Sequence, residues 1–282
     1  MTYPKFVFII PYRDREHHYI FFTRYIKYIM EDYILNKDYV LCFVHQNDDR
    51  PFNRGALKNI GFIYYKKKYP DSYKNIQFIF HDIDTIPYTK EVWNYETKKG
   101  YVKHFYGYKY ALGGILTIYG DDFEKTNGFP CFWSWGFEDN IFQKRVLKNK
   151  LKIDRSQFYI INSKEVLQFF DGYKRKMSIE SIDRANNYTH LDGLLSLHNL
   201  KYEYDEENYM IQVYDFDTYL NYKNEHFVDY NINNGSKIKK QLLIHNYNKS
   251  NTIKYIDHKE LMFTKPSNLN NLNNSNNENK KI

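Results

Sequence analysis

With 42% hydrophobic and 27% charged residues over 282 positions, the chain suits one large α/β domain, or one domain with an appendage, and cannot be a wholly disordered protein. A formal charge of +7 favours phosphate-bearing ligands in general, but runs such as Lys66-Lys67-Lys68 read as solvated faces, and nucleic acid is not expected as a partner. Two cysteines, Cys42 and Cys131, cannot build a disulfide framework, and no stretch approaches the ~20 apolar residues needed to span a bilayer.

Met1 to Lys5 carries neither a basic segment leading into an apolar run nor a small-residue cleavage site, so the chain as given is expected to be cytoplasmic and reduced. Phe6 to Ile10, ended by Pro11, reads as a buried strand. Apolar and aromatic residues then recur at helical spacing from Tyr19 to Tyr33. Tyr39 to Val44 is a second strand, Leu57 to Tyr65 a second helical pattern and Ile76 to Phe80 a third strand. This alternation predicts a mostly parallel sheet with crossover helices, and ligands of such sheets bind outside the carboxyl ends of the strands. The segments that follow the three strands are Pro11 to Arg15, Phe52 to Arg54 and His81 to Pro87. Beyond Lys201, short aromatic and β-branched runs (Tyr209 to Tyr214, Gln241 to Tyr247) suggest a small β-rich extension over 201–264. The tail from 265 to 282 is expected to be disordered, because eight of the twelve residues from Asn268 to Asn279 are Asn and show no apolar periodicity. Residues 1–200 remain for the main α/β domain.

Two clusters carry chemistry. In Asp82-Ile83-Asp84, residues two apart on an extended chain share a side, so both carboxylates face one site while Ile83 faces the core. A hard divalent cation takes oxygen ligands and keeps positions open for phosphate. A solvated turn is the plain alternative, against which the apolar strand before the pair and Pro87 after it weigh. In Trp133-Ser134-Trp135-Gly136-Phe137-Glu138-Asp139-Asn140, an aromatic face can pack on a sugar ring and the acids can accept hydroxyl protons. A core Trp pair beside an acidic helix N-terminus would look the same. Gly113-Gly114 suggests close approach of backbone to a ligand or another strand.

The ordered set IPYRDR (Ile10 to Arg15), FNRGALKNIGF (Phe52 to Phe62), HDIDTIP (His81 to Pro87), GGI (Gly113 to Ile115), NGFP (Asn127 to Pro130) and WSWGFEDN resembles the β-1,4-galactosyltransferase family. It is similar in particular to the branch that galactosylates xylose on proteoglycan linkers, through the HDID motif and YKYALGGIL. The resemblance covers about Val7 to Leu197. It implies a GT-A-like α/β fold with a mostly parallel Rossmann-like sheet, a UDP-sugar donor, a glycan or glycoprotein acceptor, Mn²⁺ and inversion at the anomeric carbon. Residue by residue, Pro11, Tyr12, Arg13 and Arg15 match the segment that holds uridine and phosphates, and Phe52 and Arg54 match the next nucleotide loop. Asp82 matches a donor-contacting carboxylate and Asp84 the metal ligand. Gly114, Trp135 and Glu138 match donor-sugar and phosphate positions. Asp139 matches the catalytic base, and Asn140 stands where the family has a second acceptor-binding Asp.

The chain departs from that pattern in three places. The family completes its metal site with a His after the tryptophan motif. The matching stretch here, GYKRKMSIE, offers Met177 and places Glu180 at the His position, so Glu180 is expected to substitute, with harder ligation tilting preference toward Mg²⁺. A surface Glu is the plain alternative, and His190 and His198 are weaker substitutes. Ala111 stands where galactose-using members carry a bulky aromatic, which leaves room for an N-acetylated donor unless Tyr108 or Tyr110 refills the space. Phe137 and Asn140 flank the Glu-Asp pair where the family has a small residue and an Asp, so the acceptor is expected to differ. Family members in animals are Golgi-anchored and disulfide-bonded. A cytoplasmic or virus-encoded enzyme would fit this chain. The reading is therefore a metal-dependent transferase of galactose or GalNAc. Its rival is an impaired fold relative that only binds nucleotide-sugar or glycan, favoured by the missing His and opposed by Asp84, Glu138 and Asp139. A nucleotidyltransferase or phosphoesterase built on Asp82 and Asp84 lacks a further acidic cluster.

Overall fold

The computed structural model describes residues 3–231. Its elements run β1 (Phe6–Tyr12), α1 (Glu16–Ile29), β2 (Tyr39–Gln46), α2 (Arg54–Lys68), β3 (Gln77–His81), β4 (Thr85–Pro87), β5 (Tyr101–Gly107), β6 (Ile115–Tyr119), α3 (Gly120–Lys125) and α4 (Glu138–Lys148). Then follow β7 (Lys152–Asp154), β8 (Tyr159–Ile160), β9 (Val166–Gln168), β10 (Lys174–Ser178), α5 (Ser181–Asn186), β11 (His198–Asp205), β12 (Met210–Asp217) and β13 (Phe227–Asn231). One large sheet has the order β11-β12-β2-β1-β3-β6-β5-β7, with β8 also on β5. β2 and β3 flank β1 in parallel, and β6 is antiparallel to both its neighbours.

The central strands read as unbroken apolar runs because both sheet faces are covered. Alternation sorts their side chains into two layers. Val7, Ile9, Cys42, Val44, Phe78 and Phe80 pack with Leu57 and Ile60 of α2, whereas Phe6, Phe8, Ile10, Leu41, Phe43 and Ile79 pack with Phe22 and Ile26 of α1. The GT-A-like α/β expectation is borne out.

Two details differ from the sequence expectation. β1 continues through Pro11 to Tyr12, because pairing with β3 ends at Ile9 and the missing proline N–H interrupts no bond on that side. The strands expected in a C-terminal extension instead join the main sheet: β12 pairs in parallel with β2, Met210 opposite Phe43, and carries β11 on its outer edge. Val213 and Phe216 thereby enter the α2-side core. A short run of alternating residues gives no sign of which edge will accept it. Further on, β13 pairs with β10. The remainder of the expected extension and the Asn-rich tail lie outside the described residues.

Helix α2 positions the site. Asn53 caps it by accepting from Ala56 N at 2.9 Å, and its Nδ2 donates to Cys131 O at 3.0 Å, tying the cap to the segment before the tryptophans. Gly55 lets the helix lie on that segment, since a Cβ there would stand 2.0 Å from Pro130 O. Gly55→Ala is therefore expected to cost about 1–3 kcal/mol through backbone displacement, outweighing alanine's ~1 kcal/mol propensity advantage. A lowered denaturant midpoint with unchanged slope would show it.

Candidate functional site

The ends of β1 and β3 and the N-termini of α2 and α4 meet outside the carboxyl edge of the sheet. At their centre stands Arg54. Its Nη2 donates to Asp82 Oδ1 at 2.6 Å, and its Nη1 to Glu138 Oε1 and Asp139 Oδ2, both at 2.8 Å. A cation at a helix N-terminus opposes the dipole. Here three carboxylates outweigh that, and they raise the Arg54 pKa against the effect of burial. Glu138 and Asp139 open α4, where acidic groups suit the dipole.

Burial pushes the Glu138 carboxyl up, helped by Asp139 and opposed by Arg54 and Lys58. Burial also acts upward on Asp139, but Arg54 and then Lys58 overcome it and hold that carboxyl below its ordinary value. Ile83 joins the α1-side core, which leaves Asp82 and Asp84 on the open side. The Asp84 carboxyl is pushed up to about 6 by burial and by the charges of Asp82 and Asp171, against a hydrogen bond from Thr85 and the charge of Arg15.

The glycine pair threads between these groups. A Cβ on Gly113 would stand 2.1 Å from Asp139 Oδ2, and Gly114 has φ +69° with its would-be Cβ 2.4 Å from Tyr106 O. Leu112 N donates to Asp139 O and Asp82 N to Gly114 O, both at 3.1 Å, so this loop ties the two acidic segments together. The two tryptophans part company. Trp133 is buried, donates to Leu220 O at 2.8 Å and stacks on Phe216, whereas Trp135 is 42% exposed and stacks on Tyr230. Between them and α4 the backbone is left-handed at Ser134 (φ +72°) and Phe137 (φ +70°), conformations costly for any residue with a Cβ. That geometry explains why a small residue would suit position 137.

The remaining expected residues are placed as follows. Pro11 is buried and Tyr12 packs on His45 with ring centroids 5.0 Å apart. Arg13 spends its donors on Gln46 O, Arg50 O and Asp48 and lies over the Phe52 ring, so it braces the turn after β2. Phe52 O accepts from Ser134 N. Arg15 pairs with Asp171 at 2.7 Å. Ala111 is buried beside Tyr108 and Tyr110, which stack on one another. Asn140 Nδ2 donates to Tyr110 O at 3.3 Å.

The metal-ligand expectation for Glu180 meets a competing arrangement. Its oxygens accept from Ser178 Oγ at 2.9 Å and His226 N at 3.0 Å, with His226 Nδ1 at 2.7 Å, so the side chain braces the start of α5. Met177 is buried, its methyl 3.5 Å from where a Gly136 Cβ would be. Of the substitutes, His190 lies against Lys148 and His198 against Asp217. Among the described residues, no three His, Cys, Asp or Glu side chains lie close enough to enclose a metal ion. Two charged residues escaped the sequence reading. Asp171, in the field of Asp84, has no local signal. Lys58 has one, since it is a charge on the apolar face of α2 beside Leu57.

Two family models match in succession. The N-terminal region of glycosyl transferase group 7 covers residues 1–96, and the N-terminal domain of galactosyltransferase covers residues 97–168. A xylosylprotein 4-β-galactosyltransferase of Caenorhabditis elegans is 26% identical over 72% of this chain and 73% of its own length. β-1,4-galactosyltransferase 4 of Rattus norvegicus is 32% identical over 52% of this chain, and the chain spans 44% of that relative. A crystal structure of Drosophila β-1,4-galactosyltransferase 7 in complex with manganese, UDP-Gal and xylobiose superposes with a TM-score of 0.59 at 18% identity, covering 78% of this chain and 97% of that one. At that identity the likeness speaks for the fold.

Removing Arg54 isolates the electrostatics. Arg54→Met is expected to lose about 3 kcal/mol, because three crowded carboxylates lose their shared cation. Their folded-state pKa values then rise above the unfolded ones. The loss is accordingly small near pH 4.5, where the folded state binds the extra protons, and grows as pH rises through the raised values. Urea melts from pH 4.5 to 8 check this; a loss independent of pH contradicts it.

Proposed function

The chain belongs to the glycosyltransferase group 7 family, and from that premise we propose that it transfers galactose, or a close relative of it, from a UDP-sugar to a sugar hydroxyl with inversion. The observation that carries the reading is the convergence of Asp82, Glu138 and Asp139 on Arg54, with Asp84 two residues from Asp82. The printed names of the relatives support galactose as the donor sugar.

In the proposed reaction Asp139 accepts the proton of the acceptor hydroxyl as its oxygen bonds to the anomeric carbon. The bond from that carbon to the phosphate oxygen breaks, and its electron pair leaves with UDP. Asp139 is available for this role because, although burial acts against its charged form, Arg54 and Lys58 keep it ionised. Arg54 fixes one of its oxygens, leaving the carboxylate a defined direction. Trp135 offers an exposed face for a sugar ring, and Glu138, held by Arg54, is assigned to the donor hydroxyls. Attack and departure on opposite faces give inversion.

A divalent cation fits beside Asp84, whose carboxyl is pushed up to about 6 by burial and then by the negative charges of Asp82 and Asp171, surroundings that favour a cation. We assign Asp84 as its protein ligand, with Asp171 the further carboxylate in its field and phosphate oxygens of the donor completing the set. Such an ion, Mn²⁺ or Mg²⁺, would neutralise charge developing on the departing diphosphate. The engagement of Glu180 with Ser178 and His226 speaks against that residue as ligand.

Asp139→Asn is expected to lower kcat by about 10²–10⁴-fold while UDP-sugar still binds, read as UDP release against calorimetric donor binding; near-normal turnover would refute the base assignment. For the metal, calorimetric Mn²⁺ titration with UDP present should show binding lost in Asp84→Asn and kept in Glu180→Ala, and the reverse pattern would return the ligand role to Glu180. Comparing UDP-Gal with UDP-GalNAc tests whether Ala111 leaves usable room; strict use of UDP-Gal means the neighbouring tyrosines fill it.

A further inference from the structure

Lys58 is fully buried. It lies one helical turn after Arg54, on the same face of α2, and like charges at that spacing repel. Its Nζ is 3.4 Å from Asp139 Oδ1 and 4.2 Å from the centre of the Phe129 ring. Taking an ammonium group out of water is costly, and only the replacement of a whole buried ion pair by apolar side chains is commonly neutral; when Lys58 alone is removed, Asp139 keeps Arg54 as its partner. Burial by itself therefore does not favour a lysine here. What distinguishes this position is that it adds a second cation to Asp139.

That carboxylate needs one. Asp82 approaches from the end of β3 and Glu138 from its own helix, and Arg54 is shared among all three acids. His104, from β5, also lies in the field of Asp139. Its ring is pushed to about 4 by burial and then by Arg155, so it is neutral at working pH and adds no charge. Arg54 occupies Oδ2 of Asp139 and Lys58 stands toward Oδ1.

We propose that Lys58 is a positioning residue for catalysis, which keeps Asp139 ionised and orients it for the acceptor hydroxyl. The proposal rests on Asp139 being the base. Lys58 itself touches neither donor nor acceptor; it acts through the carboxylate. Its charge favours the form of Asp139 that can take a proton, so removing that charge makes the carboxylate protonate at higher pH, and activity on the acid side falls first.

The test compares pH profiles of kcat for the full chain and for Lys58→Met, Lys58→Gln and Lys58→Arg, with UDP release as readout. Lys58→Met and Lys58→Gln are expected to displace the acid limb upward by about one pH unit, which is roughly tenfold lower kcat below the limb. The donor KM should stay unchanged. Lys58→Arg should keep the acid limb near its original position. The proposal is overturned if the two neutral variants retain the original limb while Asp139→Asn is inactive, a result that leaves the base assignment standing. Full turnover in Asp139→Asn overturns both together. A lowered thermal midpoint with an unmoved limb assigns Lys58 a purely structural role and also overturns the proposal.

Discussion

One guanidinium organises the carboxyl edge of this sheet. Arg54 bonds the acid that closes β3 and the two acids that open α4, so three segments distant in sequence share one hub. Packing alone would leave the acids at mutually repulsive distances. The arginine offsets part of that repulsion, and its delocalised, forked geometry lets one side chain serve three partners. Its own position follows from the Asn53 cap and from Gly55, which brings α2 against the backbone of Pro130.

The loops around this hub store conformational cost. Ser134 and Phe137 hold left-handed backbone, and Gly113 has no room for a side chain because Asp139 occupies it. Such strain persists only where surrounding structure fixes it. Here the hydrogen bonds from Leu112 to Asp139 and from Asp82 to Gly114 do so. The consequence is a carboxylate whose place is set by backbone as well as by charge, which is what the proposed base role requires.

The two acidic centres differ in their electrostatic balance. Around Asp139, two cations offset the cost of burial, and the carboxyl stays ionised. Around Asp84, burial and neighbouring negative charge prevail despite Arg15. In the proposed reaction the base must be ready to accept a proton, whereas a cation ligand is favoured by negative charge around it. Under the proposed assignments, the same residue type serves two ends according to its surroundings.

The sequence by itself determined the alternating strands and helices, the close approach at Gly113-Gly114, the family and the segments that meet at the carboxyl edge. Each of these is written in local periodicity, in backbone requirements or in ordered motifs. Only the tertiary structure decided that β12 extends the sheet at β2, that Trp133 supports the core while Trp135 is exposed, and that Glu180 is engaged by His226. It also decided that Arg13 braces a turn and that Lys58 and Asp171 stand beside the acidic centres. The physical reason is common to all of these: edge pairing, burial and ion pairing depend on which distant groups arrive within a few ångströms, and spacing along a chain carries no record of that.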